Sequence, residues 1–275
     1  MIVFPNAKIN LGLQIIAKRP DGFHNIDSVF YPVGWEDVLE IIPSTSSGEN
    51  NKVSFSQSGI ISTSGAEENL VVKAYKLMDA TLDLPPVKIH LHKTIPTGAG
   101  LGGGSADAAF TLKCINELFE LHLSEDQLLN YARKLGSDCA FFIKNKPIAA
   151  SERGDVFSPL SLNLSAYSML IVWPGIHSNT AQAFQKIKPE RPKMRSEEIC
   201  ALPLQEWKQY LKNDFESALF SSHPELNSIK EMLYEKGALY ASMSGSGSAL
   251  FGIFENSLPD FNFASNYLVK KIIPQ

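Results

Sequence analysis

The stretch Pro96–Ala106 reads PTGAGLGGGSA and carries the strongest local signal in the chain. Five of its eleven residues are glycine. Glycine lets the backbone take left-handed turns and lets a ligand approach the main chain closely, but it costs conformational entropy. A simple strand-to-helix turn needs only one or two glycines. Five glycines therefore predict a loop that holds a ligand.

The residues around this stretch predict a strand before it, Val87–His92, and a helix after it, Ser105–Leu121. A helix N-terminus offers free N–H groups and a partial positive charge, which suit a phosphate. Gly98, Gly100 and Gly103 match the pattern G-x-G-x-x-G. A dinucleotide fold, however, places that pattern in its first βαβ unit. The sequence has no G-x-x-x-x-G-K-[ST], HRD or DFG motif, which excludes P-loop NTPases and protein kinases.

Composition indicates an ordinary globular protein and excludes several classes. Of the 275 residues, 44% are hydrophobic and 20% are charged, and the net charge of −4 gives no basic field for nucleic acid. Apolar runs such as Met169–Trp173 are far shorter than the roughly 20 residues of a membrane span. The basic loop Pro189–Lys193, PERPK, predicts a solvated surface. Cys114, Cys139 and Cys200 lack CxxC pairing, which predicts free thiols and a cytoplasmic location.

Hydrophobic periodicity predicts strands and helices in mixed order. The predicted strands, besides Val87–His92, are Ile9–Ile15, Val38–Ile42, Val53–Ser56, Tyr167–Trp173, Leu239–Ser242 and Ala249–Phe254. The predicted helices, besides Ser105–Leu121, begin at Asn69 or span Ser124–Leu135, Pro224–Lys236 and Pro259–Lys271. Elements that mix without strict alternation predict an α+β fold. We expect two lobes, an N-terminal ATP-binding lobe over residues 1–158 and a C-terminal lobe over residues 159–275.

Three motifs together resemble the superfamily of galactokinase, homoserine kinase, mevalonate kinase and phosphomevalonate kinase, the GHMP kinases. They are PNAKINL at Pro5–Leu11, the glycine-rich stretch, and MSGSGS at Met243–Ser248. Each motif alone is unspecific, but the three in this order are specific, and the resemblance covers essentially the whole chain. It implies a two-lobed GHMP-kinase fold with an ATP and substrate cleft between the lobes.

Three segments resemble one branch of this superfamily, whose acceptor is a polyol linked to cytidine diphosphate. They are RPDGFHN at Arg19–Asn25, LGGGSADAA at 101–109, and LGSDCAFFI at Leu135–Ile143. The resemblance implies ATP-dependent phosphorylation of the acceptor's 2-hydroxyl in the non-mevalonate isoprenoid precursor pathway. It also implies ATP and Mg²⁺ as cofactors, no nucleic-acid or membrane partner, and a monomer or weak homodimer.

The same resemblance implies which residues bind ATP. Those that would wrap the triphosphate are Pro96, Thr97, Gly98, Ala99, Gly100, Leu101, Gly102, Gly103, Gly104, Ser105 and Ala106. The Ser105 hydroxyl is the candidate ligand of Mg²⁺. Asn69, Leu70 and Lys93 would surround the adenine.

Phosphoryl transfer depends mostly on positioning and charge neutralisation, and a group must also attract or accept the hydroxyl proton. Asp138 follows a predicted helix in the short loop Gly-Ser-Asp and, with an ordinary pKa of about 3.9, would be ionised. It can orient or deprotonate the alcohol. Lys8 and Asn10 share one strand face, opposite Ile9. We expect Lys8 to pair with Asp138 and Asn10 to hydrogen-bond beside them; otherwise Lys8 is a solvated lysine and Asp138 an exposed turn residue.

Two rings and a histidine are candidates for binding the cytidine. Phe23 and His24 follow an Asp-Gly turn, where a ring can stack on a base and an imidazole can read its edge. The family carries tyrosine where Phe23 stands, so a bond through that hydroxyl is lost. Phe184 is either a second stacking ring or a core aromatic.

Two alternative functions stay open. Another GHMP kinase, such as homoserine kinase, would not need Phe23, His24 and Phe184. A nucleotide-sensing or RNA-binding protein without catalysis would lose Lys8 or Asp138, and both are present.

Overall fold

The computed structural model describes residues 1–45, 52–60, 65–178, 184 and 187–274. The strands in chain order are β1 (Ile2–Val3), β2 (Asn6–Lys18), β3 (His24–Glu36), β4 (Val38–Pro43), β5 (Val53–Gly59), β6 (Val87–Lys93), β7 (Ile148–Ser151), β8 (Val156–Pro159), β9 (Ser168–Trp173), β10 (Tyr240–Met243), β11 (Leu250–Phe254) and β12 (Leu268–Ile272). The α-helices are α1 (Leu70–Leu82), α2 (Gly103–Leu118), α3 (Glu125–Leu135), α4 (Ser137–Lys144), α5 (Ser196–Cys200), α6 (Trp207–Tyr210), α7 (Phe215–Ser222) and α8 (Pro224–Glu235). None of the helices in these ranges is long and apolar enough to cross a membrane.

The chain forms two compact units, each assembled from separate segments. The first unit comprises Met1–Ala7, Gly34–Thr97 and Gly102–Lys146. The second unit comprises Lys8–Val33, Gly98–Leu101 and Pro147–Gln275. The mixed architecture confirms the α+β class, whereas the division into functional lobes at residues 158 and 159 stays a prediction.

The first unit combines one four-stranded sheet with helices α1 to α4. The strand order is β1-β4-β6-β5, with β5 parallel to β6 and the other pairs antiparallel. Strand β6 buries alternate residues Val87, Ile89 and Leu91, as its period of two requires. Helix α2 packs against α1, α4 and β4. The glycine-rich stretch thus enters a helix that lies at the centre of this unit.

The second unit contains two four-stranded sheets. One has the order β2-β3-β7-β8, and the other has the order β10-β11-β9-β12 with antiparallel pairs throughout. Helix α8 packs on β10 and β11. It ends just before Gly237, whose φ of 93° is the left-handed conformation expected after a helix. The main chain of β2 also bonds to a later segment, since Leu13 N donates to the Lys212 carbonyl at 2.8 Å.

Most predicted elements are confirmed, with three corrections. The predicted helix Pro259–Lys271 is wrong: Leu268–Ile272 is strand β12, which pairs with β9 and so completes a sheet edge. Asp138 does not lie in a loop but in the first turn of α4. Helix α2 ends at Leu118 rather than Leu121, because Glu120 takes a left-handed φ of 49° that no helix continues.

Candidate active site

The glycine-rich stretch has the backbone expected of a phosphate-binding loop. Gly98 and Gly100 have φ values of 72° and 81°, and Gly102 has a φ of 71° at the N-cap of α2. No side chain within the described ranges caps the first N–H groups of this helix. Those donors and the positive end of the helix dipole are therefore available to an anion.

The MSGSGS segment forms a wall against the middle of this stretch. The Ser244 hydroxyl donates to the Gly100 carbonyl at 2.8 Å, and Ala249 N donates to the Ala99 carbonyl at 3.0 Å. A Cβ added to Gly100 would lie 2.0 Å from the Ser244 carbonyl oxygen. The main chains of the two segments therefore lie in close contact, which explains why both segments consist mainly of small residues.

Asn213 supports that wall and was not among the predicted site residues. Its amide nitrogen donates to the carbonyls of Met243 and Gly245 at 2.7 and 2.8 Å. It lies about 30 residues before the segment that it holds, so no local pattern in the sequence marks this role.

Strand β2 carries a buried polar chain that contains two of the predicted residues. Lys8 Nζ donates to Asn10 Oδ1, and Asn10 Nδ2 donates to the Ser28 hydroxyl at 3.0 Å. Ser28 in turn donates to the Gly12 carbonyl at 2.6 Å. Lys8 is 3% exposed and its ammonium lies 4.9 Å from the centre of the Phe30 ring. The structure therefore brings Lys8 and Asn10 together, and Ser28 is a partner that sequence reasoning missed.

Asp138 lies half-buried in the other compact unit. A single residue, Gly136, joins helices α3 and α4, so Asp138 sits at a helix N-terminus, where a carboxylate is favoured. Its pairing with Lys8 stays a prediction. The neighbouring Cys139 is buried, which raises the pKa of its thiol to about 12 even though the Ser105 hydroxyl hydrogen-bonds to it. Cys139 is therefore a buried thiol that stays protonated at neutral pH.

Lys93 lies in a buried charge cluster beneath the start of α2. Its ammonium donates to Asp107 Oδ2 at 2.7 Å and to Asp37 Oδ2. The other oxygen of Asp37 accepts from the main-chain nitrogens of Thr94 and Ile95 at 2.6 and 2.9 Å. Asp37 and Asp107 are absent from the predicted site because they lie 56 and 14 residues from Lys93 in sequence.

Burial governs the charges in this cluster. It raises the pKa of Asp107 to about 7, against the attraction of Lys93. Burial also opposes the charge of Lys93, but the two carboxylates offset it and raise the pKa of the ammonium. Asp107 Oδ1 is buried and finds no hydrogen-bond partner among the described residues. The cluster is therefore held together by Lys93, whose side chain serves both carboxylates.

The remaining predicted ATP residues, Asn69 and Leu70, lie at the start of α1. The Asn69 side chain caps α1 by accepting from Val71 N at 3.0 Å. A Cβ on Gly104 would lie 3.8 Å from Leu70 Cδ1, so Leu70 lies beside the first turn of α2. Their contact with adenine stays a prediction.

Of the three candidate cytidine residues, His24 and Phe184 are in contact with each other, whereas Phe23 contacts Arg153. The rings of His24 and Phe184 stack with centroids 4.7 Å apart and 13° between planes, and Phe184 meets Phe215 edge to face at 4.8 Å. Burial and the nearby Lys18 lower the pKa of His24, so its imidazole is neutral at pH 7. Phe23 is 56% exposed, and the Arg153 guanidinium lies 5.3 Å over its ring.

Comparisons with known proteins find relatives that match nearly the full length of the chain. The model for "GHMP kinases N terminal domain" matches residues 69–146, and that for "GHMP kinases C terminal" matches residues 196–266. The 4-diphosphocytidyl-2-C-methyl-D-erythritol kinase of Bacteroides thetaiotaomicron is 53% identical and is covered over 97% of both chains. That of Cytophaga hutchinsonii is 47% identical over 100% of both chains. The chain belongs to the 4-diphosphocytidyl-2-C-methyl-D-erythritol kinase family.

Solved structures support the membership and the fold. A crystal structure of 4-(cytidine 5'-diphospho)-2C-methyl-D-erythritol kinase has a TM-score of 0.77 at 30% identity and covers 92% of this chain and 90% of its own. A mevalonate kinase structure has a TM-score of 0.71 at 15% identity, covering 92% of this chain and 91% of its own, which shows the shared fold alone. Membership of the GHMP kinases makes the chain an ATP-dependent small-molecule kinase, as the three motifs predict.

Proposed function

We propose that this kinase transfers the γ-phosphoryl group of ATP to the 2-hydroxyl of 4-diphosphocytidyl-2-C-methyl-D-erythritol. The observation that carries the proposal is the similarity, over nearly the full chain, to 4-diphosphocytidyl-2-C-methyl-D-erythritol kinases that are 53% and 47% identical in sequence. The uncapped α2 N-terminus after three left-handed glycines supplies the triphosphate site. Homoserine kinase is the alternative, and the stacked His24 and Phe184 rings favour an acceptor that carries a base.

We also propose a role in the catalytic step for each of the following residues, based on the groups that surround it. Asn10 orients the Lys8 ammonium, and Ser28 in turn fixes the Asn10 amide. A positive charge held in this way stabilises the alkoxide character that develops on the attacking oxygen. Asp138 orients the hydroxyl and accepts its proton. The α2 N-terminus neutralises charge on the transferring phosphoryl group, where positioning and electrostatics supply most of the catalysis.

Mg²⁺ fits this site through Ser105 and the phosphates of ATP. No three side chains of the usual metal-binding types meet within the described ranges, so ATP itself would supply most of the ligands. The cation would neutralise phosphate charge when bound. We keep the cytoplasm as the proposed compartment, since Cys114, Cys139 and Cys200 are all buried, unpaired thiols. A monomer or weak homodimer also stays a proposal.

An ADP-release assay tests the function directly. The protein, ATP and Mg²⁺ are combined with the cytidylated acceptor, methylerythritol phosphate, homoserine, mevalonate or galactose in parallel. Turnover with the cytidylated acceptor alone is the expected result. Preference for homoserine or mevalonate would replace the proposal with the alternative kinase, and no turnover with any alcohol would favour a protein without catalysis.

A further inference from the structure

A pocket of about 440 Å³ lies beside strand β2 in the second unit. This volume falls within the range of small-molecule sites, about 300–1,000 Å³. Main-chain bonds tie its walls to β2: Asp214 N donates to the Leu13 carbonyl at 2.9 Å, and Glu190 N donates to the Ile15 carbonyl at 2.9 Å. Ile15 N donates to the Asp214 carboxylate at 2.7 Å. The pocket is thus built on the strand that also carries Lys8 and Asn10.

The lining of the pocket carries more positive than negative charge. Arg191, Lys193 and Lys212 line it, and none of them forms an ion pair with a described carboxylate. Two carboxylates, Glu190 and Asp214, oppose these three cations. Asp214 already accepts the Ile15 N–H, and burial raises its pKa despite that bond and the charge of Lys212. The balance favours an anionic ligand.

Gln14 contributes a second, independent feature. Its side chain lines the pocket, and the residue is only 8% exposed. The amide forms no hydrogen bond with any side chain or main-chain group in the described ranges. Gln14 is not among the described residues whose polar atoms are both shielded from solvent and unpaired, so its amide reaches the open pocket. There it is free to bond a ligand atom in place of water.

We propose that this pocket binds a small phosphate-bearing molecule at a site separate from the ATP and acceptor sites. Arg191, Lys193 and Lys212 hold the phosphate, and Gln14 bonds the polar remainder of the ligand. Loop 189–193, which the sequence marks only as a solvated surface, provides two of the three cations.

Titration calorimetry tests this proposal with inorganic pyrophosphate, glycerol 3-phosphate and cytidine monophosphate as probes. The glycine-rich stretch is first saturated with a non-hydrolysable ATP analogue, and the cytidylated acceptor is present at saturation. We expect pyrophosphate to bind and Arg191→Ala or Lys212→Ala each to weaken binding about tenfold, as loss of a charged hydrogen bond predicts. Lys236→Ala, an exposed lysine outside the pocket, is the matched control and should bind normally.

The outcomes separate the possible ligands. Tighter binding of cytidine monophosphate than of glycerol 3-phosphate would identify a nucleotide, and the reverse would identify a sugar phosphate. A separate site would be overturned if pyrophosphate does not bind, or if both pocket variants bind it as tightly as the unaltered protein does. It would also be overturned if pyrophosphate binds with the ATP analogue alone but not when the acceptor is present as well. If the acceptor itself fails to bind, the proposed function fails, while the titration with the ATP analogue alone still tests the pocket.

Discussion

Lys93 Nζ lies 2.7 Å from Asp107 Oδ2 in the interior of the first unit, where the two side chains are 5% and 3% exposed. This ion pair joins the last residue of β6, before the glycine-rich stretch, to the second turn of α2, after it. A Cβ on Gly103 would lie 3.2 Å from the same ammonium. The pair therefore fixes both ends of the stretch that would receive the triphosphate.

Lys93→Met should destabilise the protein by about 3–5 kcal/mol, the cost of leaving buried charge uncompensated. The variant leaves Asp37 and Asp107 without their common cation. Urea unfolding measures the loss. Lys73→Met removes an exposed lysine paired with Glu68 and should change stability little. Equal midpoints for the two variants would mean that the buried cluster does not hold the unit together.

The pKa of Asp107 predicts how stability changes with pH. Because burial raises this pKa from 3.8 to about 7, the folded state holds a proton that the unfolded state releases above about pH 4. The contribution of Asp107 to stability should therefore fall as the pH rises from about 4 to 7. Asp107→Asn should remove this fall, which denaturant unfolding at a series of pH values would detect. Parallel curves for the variant and the unaltered protein would contradict it.

Most strands and helices of this fold could be predicted, because each is specified by the residue pattern of a single segment. Helix α3 follows Ser124 as predicted, and β6 alternates as its sequence does. The predicted helix over Pro259–Lys271 is wrong because pairing with β9 decides the structure of Leu268–Ile272, and that pairing is not local.

The candidate site likewise contains residues that a local pattern predicts and residues that it does not. The glycine-rich stretch and the pair Lys8–Asn10 could be predicted, since each lies in one short segment. Asp37, Asp107 and Asn213 could not, because their roles depend on contacts across 14 or more residues. The approach of Ser244 to Gly100, 144 residues away, likewise emerges only from the fold.

The glycines at the start of α2 should respond differently to substitution. Gly102→Val forces a β-branched residue to a φ of 71° where phosphate would approach, so we expect ATP affinity to fall at least tenfold in a folded protein. Gly103→Val should instead lower stability, since even a Cβ would lie 2.8 Å from Ile95 Cγ2. Gly34→Ala, with nothing near its Cβ, is the control. ATP titration and circular dichroism on each variant distinguish these effects, and normal affinity in folded Gly102→Val would exclude the phosphate role.

Lys8→Met and Asp138→Asn should each lower kcat by about 10²–10⁴, the usual contribution of proton transfer and its partners. ATP affinity should stay within a few-fold, because neither residue belongs to the glycine-rich stretch. Steady-state kinetics and ATP titration give the two quantities. Asn10→Ala should give a smaller loss, since it frees the Lys8 ammonium from its amide partner without removing the charge. Near-normal kcat in either Lys8→Met or Asp138→Asn would remove that residue from the proposed step.

Phe23→Ala, His24→Ala and Phe184→Ala should impair use of the cytidylated acceptor far more than ATP binding. Stacking on an aromatic ring contributes about 1–3 kcal/mol per base, which corresponds to roughly 5- to 150-fold in kcat/KM. Because the base anchors the polyol for in-line attack, its loss should lower kcat as well as raise KM. Phe263→Ala, a ring stacked on Phe261 rather than on His24, is the control. Steady-state kinetics with the cytidylated acceptor and with the truncated acceptor that lacks the base test this prediction. If the variants lose no more activity on the cytidylated acceptor than on the truncated one, these rings do not bind the base.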